Sequence, residues 1–237
     1  MSSERKVVII TGASQGIGAG LLRAYRDRNY RVVANSRSIE AGADPDVLAV
    51  PGDIGNPETA ERIVSEALQR FGRIDSLVNN AGVFLSKPFI EFTADDYARN
   101  MATNVAGFFH ITQRAAAAML EQGSGHIVSI TTSLVDQPMA GVPAALAALT
   151  KGALNAATRS LAIEFATRGV RVNAVAPGII KTPMHPVETH AAMAALHPVG
   201  RMGEVRDVVE AVLFLESAPF VTGEILHVDG GQHAGRW

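Results

Sequence analysis

Residues 6–29 read KVVIITGASQGIGAGLLRAYRDRN. KVVIIT is a short, β-branched apolar run bounded by glycine, which suits a buried strand. GAGLLRAYRDRN repeats its apolar positions at helical spacing. Between them, TGASQGIG sets Gly12, Gly16 and Gly18 in the turn. Missing Cβ atoms let the backbone turn tightly there and approach a bound group closely, and the N-terminus of the helix that follows favours negative charge. Strand, glycine turn and helix form a unit that cradles a dinucleotide pyrophosphate. The spacing is GxxxGxG rather than GxGxxG, and by itself it also suits a plain tight turn.

Working outward, RVVAN, VLAVPGD, SLVNNAG, HIVSITT, VRVNAVAPG and EILHVDGG read as further strands. PETAERIVSEALQRFG, TADDYARNMATNVAGFFHITQRAAAAML, VPAALAALTKGALNAATRSLAIEFATRG and GEVRDVVEAVLFLES read as helices between them. Regular alternation predicts an α/β doubly wound fold, a parallel sheet with helices on both faces. Ligands of such sheets sit beyond the carboxyl ends of the strands. The segments that matter are therefore TGASQGIG, NSRS, GDI, NNAG, TTS and PGIIKTPM.

The 237 residues contain no linker-like tract or internal repeat, so residues 1–237 are expected to form one domain. With 47% hydrophobic residues the chain can bury a large core. No apolar run approaches the roughly 18 residues of a membrane span. A formal net charge of -2 leaves no basic footprint for nucleic acid or anionic lipid, which points to small-molecule or protein partners. Zero cysteines exclude disulfides, thiol catalysis and Cys-ligated zinc. The opening MSSERK lacks the apolar segment of a secretory signal, so the expected location is cytoplasmic, with no membrane attachment.

From about Lys6 to Gly231 the chain resembles the short-chain dehydrogenase/reductase family. The resemblance rests on TGASQGIG (11–18), GDI (52–54), NNAG (79–82), Asn104 in MATNVAG, Lys151, RVNAVAPG (171–178), Thr182 and the terminal VTGEILHVDGG, all in order. It implies a single Rossmann domain with a seven-stranded parallel sheet ordered 3-2-1-4-5-6-7, binding NAD(H) or NADP(H). Gly12, Gly16 and Gly18 would surround the pyrophosphate, with Ser14, Gln15 and Ile17 in the same turn. Asp53 and Ile54 would border the adenine, and Asn80, Ala81 and Gly82 would line the cofactor beyond the fourth strand. Pro177, Gly178, Ile180 and Thr182 would hold the nicotinamide end. Purely structural uses stand beside these: Asp53 as a turn cap, NNAG as a brace of the central strand, Thr182 as a helix start.

The second strand ends in Asn35, Ser36, Arg37 and Ser38. A carboxylate here would bond a free ribose 2′-hydroxyl and repel a 2′-phosphate, whereas an arginine accepts the phosphate. With Ser36 and Arg37 and no acid, NADP(H) is expected over NAD(H). Gln15 stands where many NADP-dependent members carry a second basic residue.

In most of the family a Tyr acting as general acid/base lies four residues before the active-site Lys, and a Ser lies about thirteen before that Tyr. Four residues is one helical turn, so the two side chains share a face. Four residues before Lys151 stands Ala147, and the tyrosines of the chain are Tyr25, Tyr30 and Tyr97, all far upstream. Thirteen before Ala147 is Leu134, so Thr132 or Ser133 must supply the hydroxyl. The expected catalytic residues are Asn104, Ser133 and Lys151, and the resemblance implies that Lys151 also binds the nicotinamide ribose. A substitute donor would be water ordered by Asn104 and Lys151, the Ser133 hydroxyl, or a histidine of the substrate loop.

That loop, at about 183–200, carries His185, His190 and His197 at spacings that make no compact ligand set, so no metal is expected. Met184, Met193 and Leu196 would make it a mobile, largely apolar lid. The resemblance further implies a homotetramer, with helices 100–121 and 143–168 in one interface and the C-terminal strand in another. Two functions remain: an NAD(P)(H)-dependent oxidoreductase with an altered proton relay, or an NADP-binding pseudoenzyme that serves as an interaction scaffold.

Overall fold

The computed structural model describes residues 5–235, so the first four residues, on which the leader expectation partly rests, lie outside the described residues. Among those described, seven strands form one parallel sheet: β1 (Val7–Thr11), β2 (Arg31–Ser36), β3 (Val47–Pro51), β4 (Ser76–Asn79), β5 (Gly125–Ile130), β6 (Val170–Pro177) and β7 (Ile225–Val228). Their order is β3-β2-β1-β4-β5-β6-β7. The helices are α1 (Gly16–Asp27), α2 (Pro57–Phe71), α3 (Ala94–Asn100), α4 (Gly107–Gln122), α5 (Ala145–Phe165), α6 (His190–Ala194) and α7 (Val205–Ser217).

The apolar runs of the strands reflect burial on both faces. Side chains alternate along a strand, so Val7 and Ile9 of β1 face a core shared with Ile63 and Phe71 of α2, Ile111 and Met119 of α4, and Phe165 of α5. Val8 and Ile10 face the opposite core, with Leu21 and Tyr25 of α1 and Val208, Val212 and Leu215 of α7. Register is fixed across the centre, where Val8 is level with Val32 of β2 and Ser76 of β4. At the amino ends of the strands, Glu216 of α7 ties the two layers together. It accepts from Ser76 and faces His126, both at 2.9 Å, and takes the hydroxyls of Tyr25 and Tyr30 at 3.2 and 3.0 Å. Burial opposes its ionisation, yet the hydrogen bonds from His126, Ser76 and Tyr30 outweigh it and hold the carboxyl at about 2.

The helix ends follow local chemistry. Asn56 caps α2 by accepting from Glu58 N–H at 3.2 Å, Pro57 opens the helix, and Gly72 closes it with φ 79. The sequence predicts one uninterrupted helix over TADDYARNMATNVAGFFHITQRAAAAML. The structure instead inserts a π-helical turn, Met101–Ala106, between α3 and α4. Such turns are rare and mark places where an extra residue is used. Here it carries Asn104.

The chain order reverses between β1 and β4, and the neighbouring strand ends splay into a cleft there. No helix among the described residues is long and apolar enough to cross a membrane.

Candidate active site

A cavity of about 750 Å³ opens at this cleft, beyond the carboxyl ends of the strands. Its floor is the glycine turn. Gly12 and Gly16 have φ +66 and +54, values that residues with side chains rarely adopt, and a Cβ on Gly12 would lie 2.9 Å from the Ala81 Cα. NNAG is locked onto this turn. Asn80 Nδ2 donates to the carbonyls of Thr11 and Gly12 at 2.9 and 3.1 Å, while Thr11 Oγ1 accepts from the N–H groups of Asn80 and Ala81 at 3.1 and 3.0 Å. Ser14, Gln15, Ile17 and Gly82 complete this part of the lining. Gly18 is placed differently from the expectation. It is buried, the carbonyl oxygen of Gly12 occupies the position a Cβ would take, and it does not line the cavity. Its lack of a side chain lets α1 sit against the turn.

Ser36, Arg37, Asp53 and Ile54 line the far end. Asn35 Nδ2 bonds the carbonyls of Val50 and Gly52 at 2.9 and 3.2 Å, closing β2 onto β3 and leaving the next residues free of sheet duties. The Ser36 hydroxyl is buried and has no hydrogen-bond partner among the described residues. Arg37 beside it is exposed. An unpaired donor next to a guanidinium suits a phosphate, and the glycine floor suits a pyrophosphate, so the residues present fit a nicotinamide dinucleotide. Asp53 serves two uses: it lines the cavity, and its Oδ1 accepts from Gly55 N–H at 2.9 Å as a turn cap.

Pro177, Gly178, Ile180 and Thr182 form the opposite wall, with Thr182 against Gly16. Residues 183–200 contain the short helix α6, which periodicity did not reveal. His197, 3% exposed, clamps this segment to the end of β6: Nε2 accepts from Ile179 N–H and Nδ1 donates to Met193 O, both at 3.0 Å. Those two bonds define its neutral tautomer. His190 Nε2 donates to the His185 carbonyl at 3.0 Å, and His185 lines the cavity with its imidazole pushed down by burial and then by His190. The three histidines are thus in separate roles.

At the centre, Lys151 of α5 lines the cavity and donates to the Ile130 carbonyl at 2.7 Å. Burial lowers its ammonium to about 8. Gly82 leaves it room, since a Cβ there would lie 2.9 Å from Nζ. One turn earlier, Ala147 is 1% exposed and packs with Leu134, Phe84, Met139 and Val142. The place where a phenol would start is an apolar wall. Of the two candidate hydroxyls, Thr132 Oγ1 is occupied in capping the turn Ser133–Val135, accepting from Leu134 N–H at 3.3 Å. Ser133 Oγ is buried, without a partner among the described residues, and its residue lines the cavity.

Asn104 is not brought into this lining. Its Oδ1 accepts from Val83 N–H at 2.8 Å, and its Nδ2 donates to Val83 O and Thr150 Oγ1 at 3.0 and 3.1 Å. It borders a small void behind the cavity with Thr11 and Asn79. Its side chain therefore braces the backbone after β4, with both amide hydrogens engaged and one lone pair of Oδ1 left over. Gln232, in the C-terminal turn Gln232–Ala234, does line the cavity and was missed from sequence, because nothing in the residue type after DGG signals a wall.

A family model described as enoyl-(acyl carrier protein) reductase matches residues 12–233. An uncharacterized oxidoreductase of Methylorubrum extorquens is 39% identical over 246 residues, covering 96% of this chain and 98% of that protein. The 3-oxoacyl-(acyl-carrier-protein) reductase of Vibrio cholerae is 34% identical, covering 98% of this chain and 99% of its own. A solved structure of ElxO with NADP bound superposes with TM-score 0.91 at 30% identity, covering 98% of this chain and 100% of that one.

Proposed function

The chain belongs to the short-chain dehydrogenase/reductase family of NAD(P)-dependent oxidoreductases, and from that premise we propose that it interconverts the carbonyl and hydroxyl of a small molecule with NADP(H), without a helical phenol. The observation that carries the reading is one continuous cavity that runs from the glycine floor and Arg37 to Lys151 and Ser133. A scaffold that only held a nucleotide would have no use for a buried ammonium and an unpaired hydroxyl at the nicotinamide end.

When bound, the nicotinamide supplies or accepts the hydride. Gly12, Gly16, Asn80 and Ala81 hold the backbone open for the pyrophosphate, and Ser36 with Arg37 takes the 2′-phosphate. Ser133 holds the reacting oxygen through its hydroxyl. Lys151, protonated at neutral pH with its ammonium at about 8, delivers the proton that the family's phenol would deliver, directly or through that hydroxyl. Asn104 acts as a brace rather than as a donor. A homotetramer of this fold, cytoplasmic and free of nucleic acid, is the working form.

A second reading rests on Ala147 itself. A positioned general acid is worth about 10²- to 10⁴-fold, and a pseudoenzyme could dispense with it. Hydride transfer from NADPH to a panel of ketones and aldehydes separates the two. Turnover that falls sharply in Lys151→Ala supports the oxidoreductase. Tight NADPH binding with no turnover, and binding untouched by Lys151→Ala, supports the scaffold.

A further inference from the structure

Three buried polar groups in the cavity lining have no hydrogen-bond partner among the described residues: the Ser36 hydroxyl at the far end, and, at the nicotinamide end, the Ser133 hydroxyl and Oε1 of Gln232, a residue 1% exposed. Nε2 of Gln232 reaches the Met139 sulfur at 3.4 Å, a weak acceptor. The turn that bears Gln232 packs on the turn Ser133–Val135, so the two unpaired groups at the nicotinamide end belong to adjoining walls. A buried amide left unpaired is costly, and each such group calls for an explanation.

The turn is built to hold Gln232 in place. Asp229 Oδ1 accepts from Gly231 N–H at 3.0 Å, its Oδ2 accepts from His233 N–H at 2.8 Å, and its carbonyl accepts from Gln232 N–H at 3.2 Å. Gly230 and Gly231 have φ +60 and +89, which lets the chain fold back directly after β7. The rigidity of this anchor and the unpaired amide it presents are separate observations, and both point to a ligand.

We infer that Gln232 is a specificity-determining residue that accepts a hydrogen bond from a neutral donor on the substrate, a hydroxyl or amide N–H close to the reacting carbonyl. The inference rests on the oxidoreductase reading above for that carbonyl. Neutrality follows from the surroundings. Among the described residues, Lys151 and Arg37 are the only lysine and arginine in the lining, and Arg37 stands at the far end beside β2. Residues 183–200 contain no Lys or Arg and a single acid, Glu188. A carboxylate or phosphate on the substrate would lose its water there and find, among the described residues of this end, only the Lys151 ammonium, which already donates to the Ile130 carbonyl and is assigned to the reacting oxygen. The fitting class is a compact, uncharged hydroxy- or amido-ketone, or the corresponding alcohol.

The test titrates 3- and 4-hydroxycyclohexanone against 3- and 4-methylcyclohexanone into the protein saturated with NADP⁺, by calorimetry. The oxidised cofactor cannot reduce the ring carbonyl, an absence of NADPH absorbance during the titration shows that the ring hydroxyl is not oxidised, and the methyl replaces the hydroxyl at similar size. At least one hydroxy ketone should bind about tenfold or more tightly than its methyl counterpart, as expected of a site built around a hydrogen bond. Gln232→Met should abolish that preference and Gln232→Glu, which keeps an acceptor, should retain it. Equal NADP⁺ affinity in all three proteins shows that the fold is intact. Equal binding of the matched ketones, a preference that survives Gln232→Met, or no binding of any of them overturns the inference. Reduction of the same ketones by NADPH is read separately. Gln232-dependent binding without hydride transfer sustains the inference and removes the oxidoreductase reading, while hydride transfer with Gln232-independent binding does the reverse.

Discussion

The Lys151 ammonium donates to the Ile130 carbonyl at 2.7 Å, so a partly buried cation is held at the end of β5 by a neutral acceptor. No group of opposite charge among the described residues compensates its desolvation, which is why the ammonium falls from 10.5 to about 8. Below pH 8 both folded and unfolded chains carry the proton, and folding bears the full cost of burying it. Between about 8 and 10.5 the unfolded chain binds a proton that the folded chain does not, so stability rises with pH. Lys151→Met lacks this titration. Its stability relative to the parent should therefore be most favourable below pH 8 and should decline through that window by on the order of 3 kcal/mol, at about 1.4 kcal/mol per pKa unit. The lost bond to Ile130 adds an offset that is independent of pH. Urea unfolding of both apoproteins from pH 7 to 10.5 measures the difference, and parallel curves would refute the buried-cation account.

Arg37 and the unpaired Ser36 hydroxyl decide the cofactor. A charge-assisted hydrogen bond contributes about 1.5–3 kcal/mol, so NADPH should bind roughly ten- to a hundredfold more tightly than NADH. Arg37→Ala should remove most of that preference by weakening NADPH and leaving NADH unchanged. Fluorescence titration of both reduced cofactors reads it. Equal affinities in the parent would sink the assignment.

The sheet was legible because its strands are buried on both faces and so appear as uninterrupted runs such as VVIIT and VRVNAVAP. Most of the cavity was legible because glycine turns and strand ends carry fixed roles. The misplacements share a cause: a motif names a residue type but not which neighbour claims its hydrogen bonds. The amide hydrogens of Asn104 are taken by Val83 and Thr150, and Gly18 is packed against its own turn, neither of which leaves a trace in composition or spacing. Thr132 and Ser133 were indistinguishable by counting and differ only once Thr132 is seen capping the next turn. Gln232 is brought to the cavity by a contact between segments about 100 residues apart, which no local pattern encodes.

Oligomer formation can be tested on the outer face of α5. Leu149 and Ile163 are 58% and 81% exposed, and Ala153 and Ala156 between them are exposed as well, so the small residues of this helix do not all face its own sheet. Phe109 of α4 is exposed as well, at 54%, as are Phe214 of α7 and Phe220 in the segment that leads to β7. Apolar stripes of this kind mark protein contact surfaces. The parent should scatter light as four chains. Leu149→Glu combined with Ile163→Glu should give dimers held through the other face, with NADPH affinity preserved. A monomeric parent at micromolar concentration would exclude the tetramer.

The deciding substitution is Ala147→Tyr. Ala147 packs with Leu134, Phe84, Met139 and Val142 but also lines the cavity, so a phenol ring there can extend towards open space instead of into the core. Its hydroxyl would lie one helical turn from Lys151, whose charge would draw the phenol down from about 10. If the site lacks only an acid, reduction of a ketone panel with NADPH should rise by about 10² or more. If Lys151 and Ser133 already carry the proton, the parent turns over well, the ring occupies substrate volume, and activity falls while NADPH binding is kept. The direction of the change in kcat/KM therefore reports whether Ala147 is a lost group or cleared space, and the pH profile of the parent gives an independent check. A relay that depends on the Lys151 proton should lose reductase activity above about pH 8, and the added phenol should move that limit. A parent whose reductase rate is flat from pH 6 to 10 would remove Lys151 from the relay.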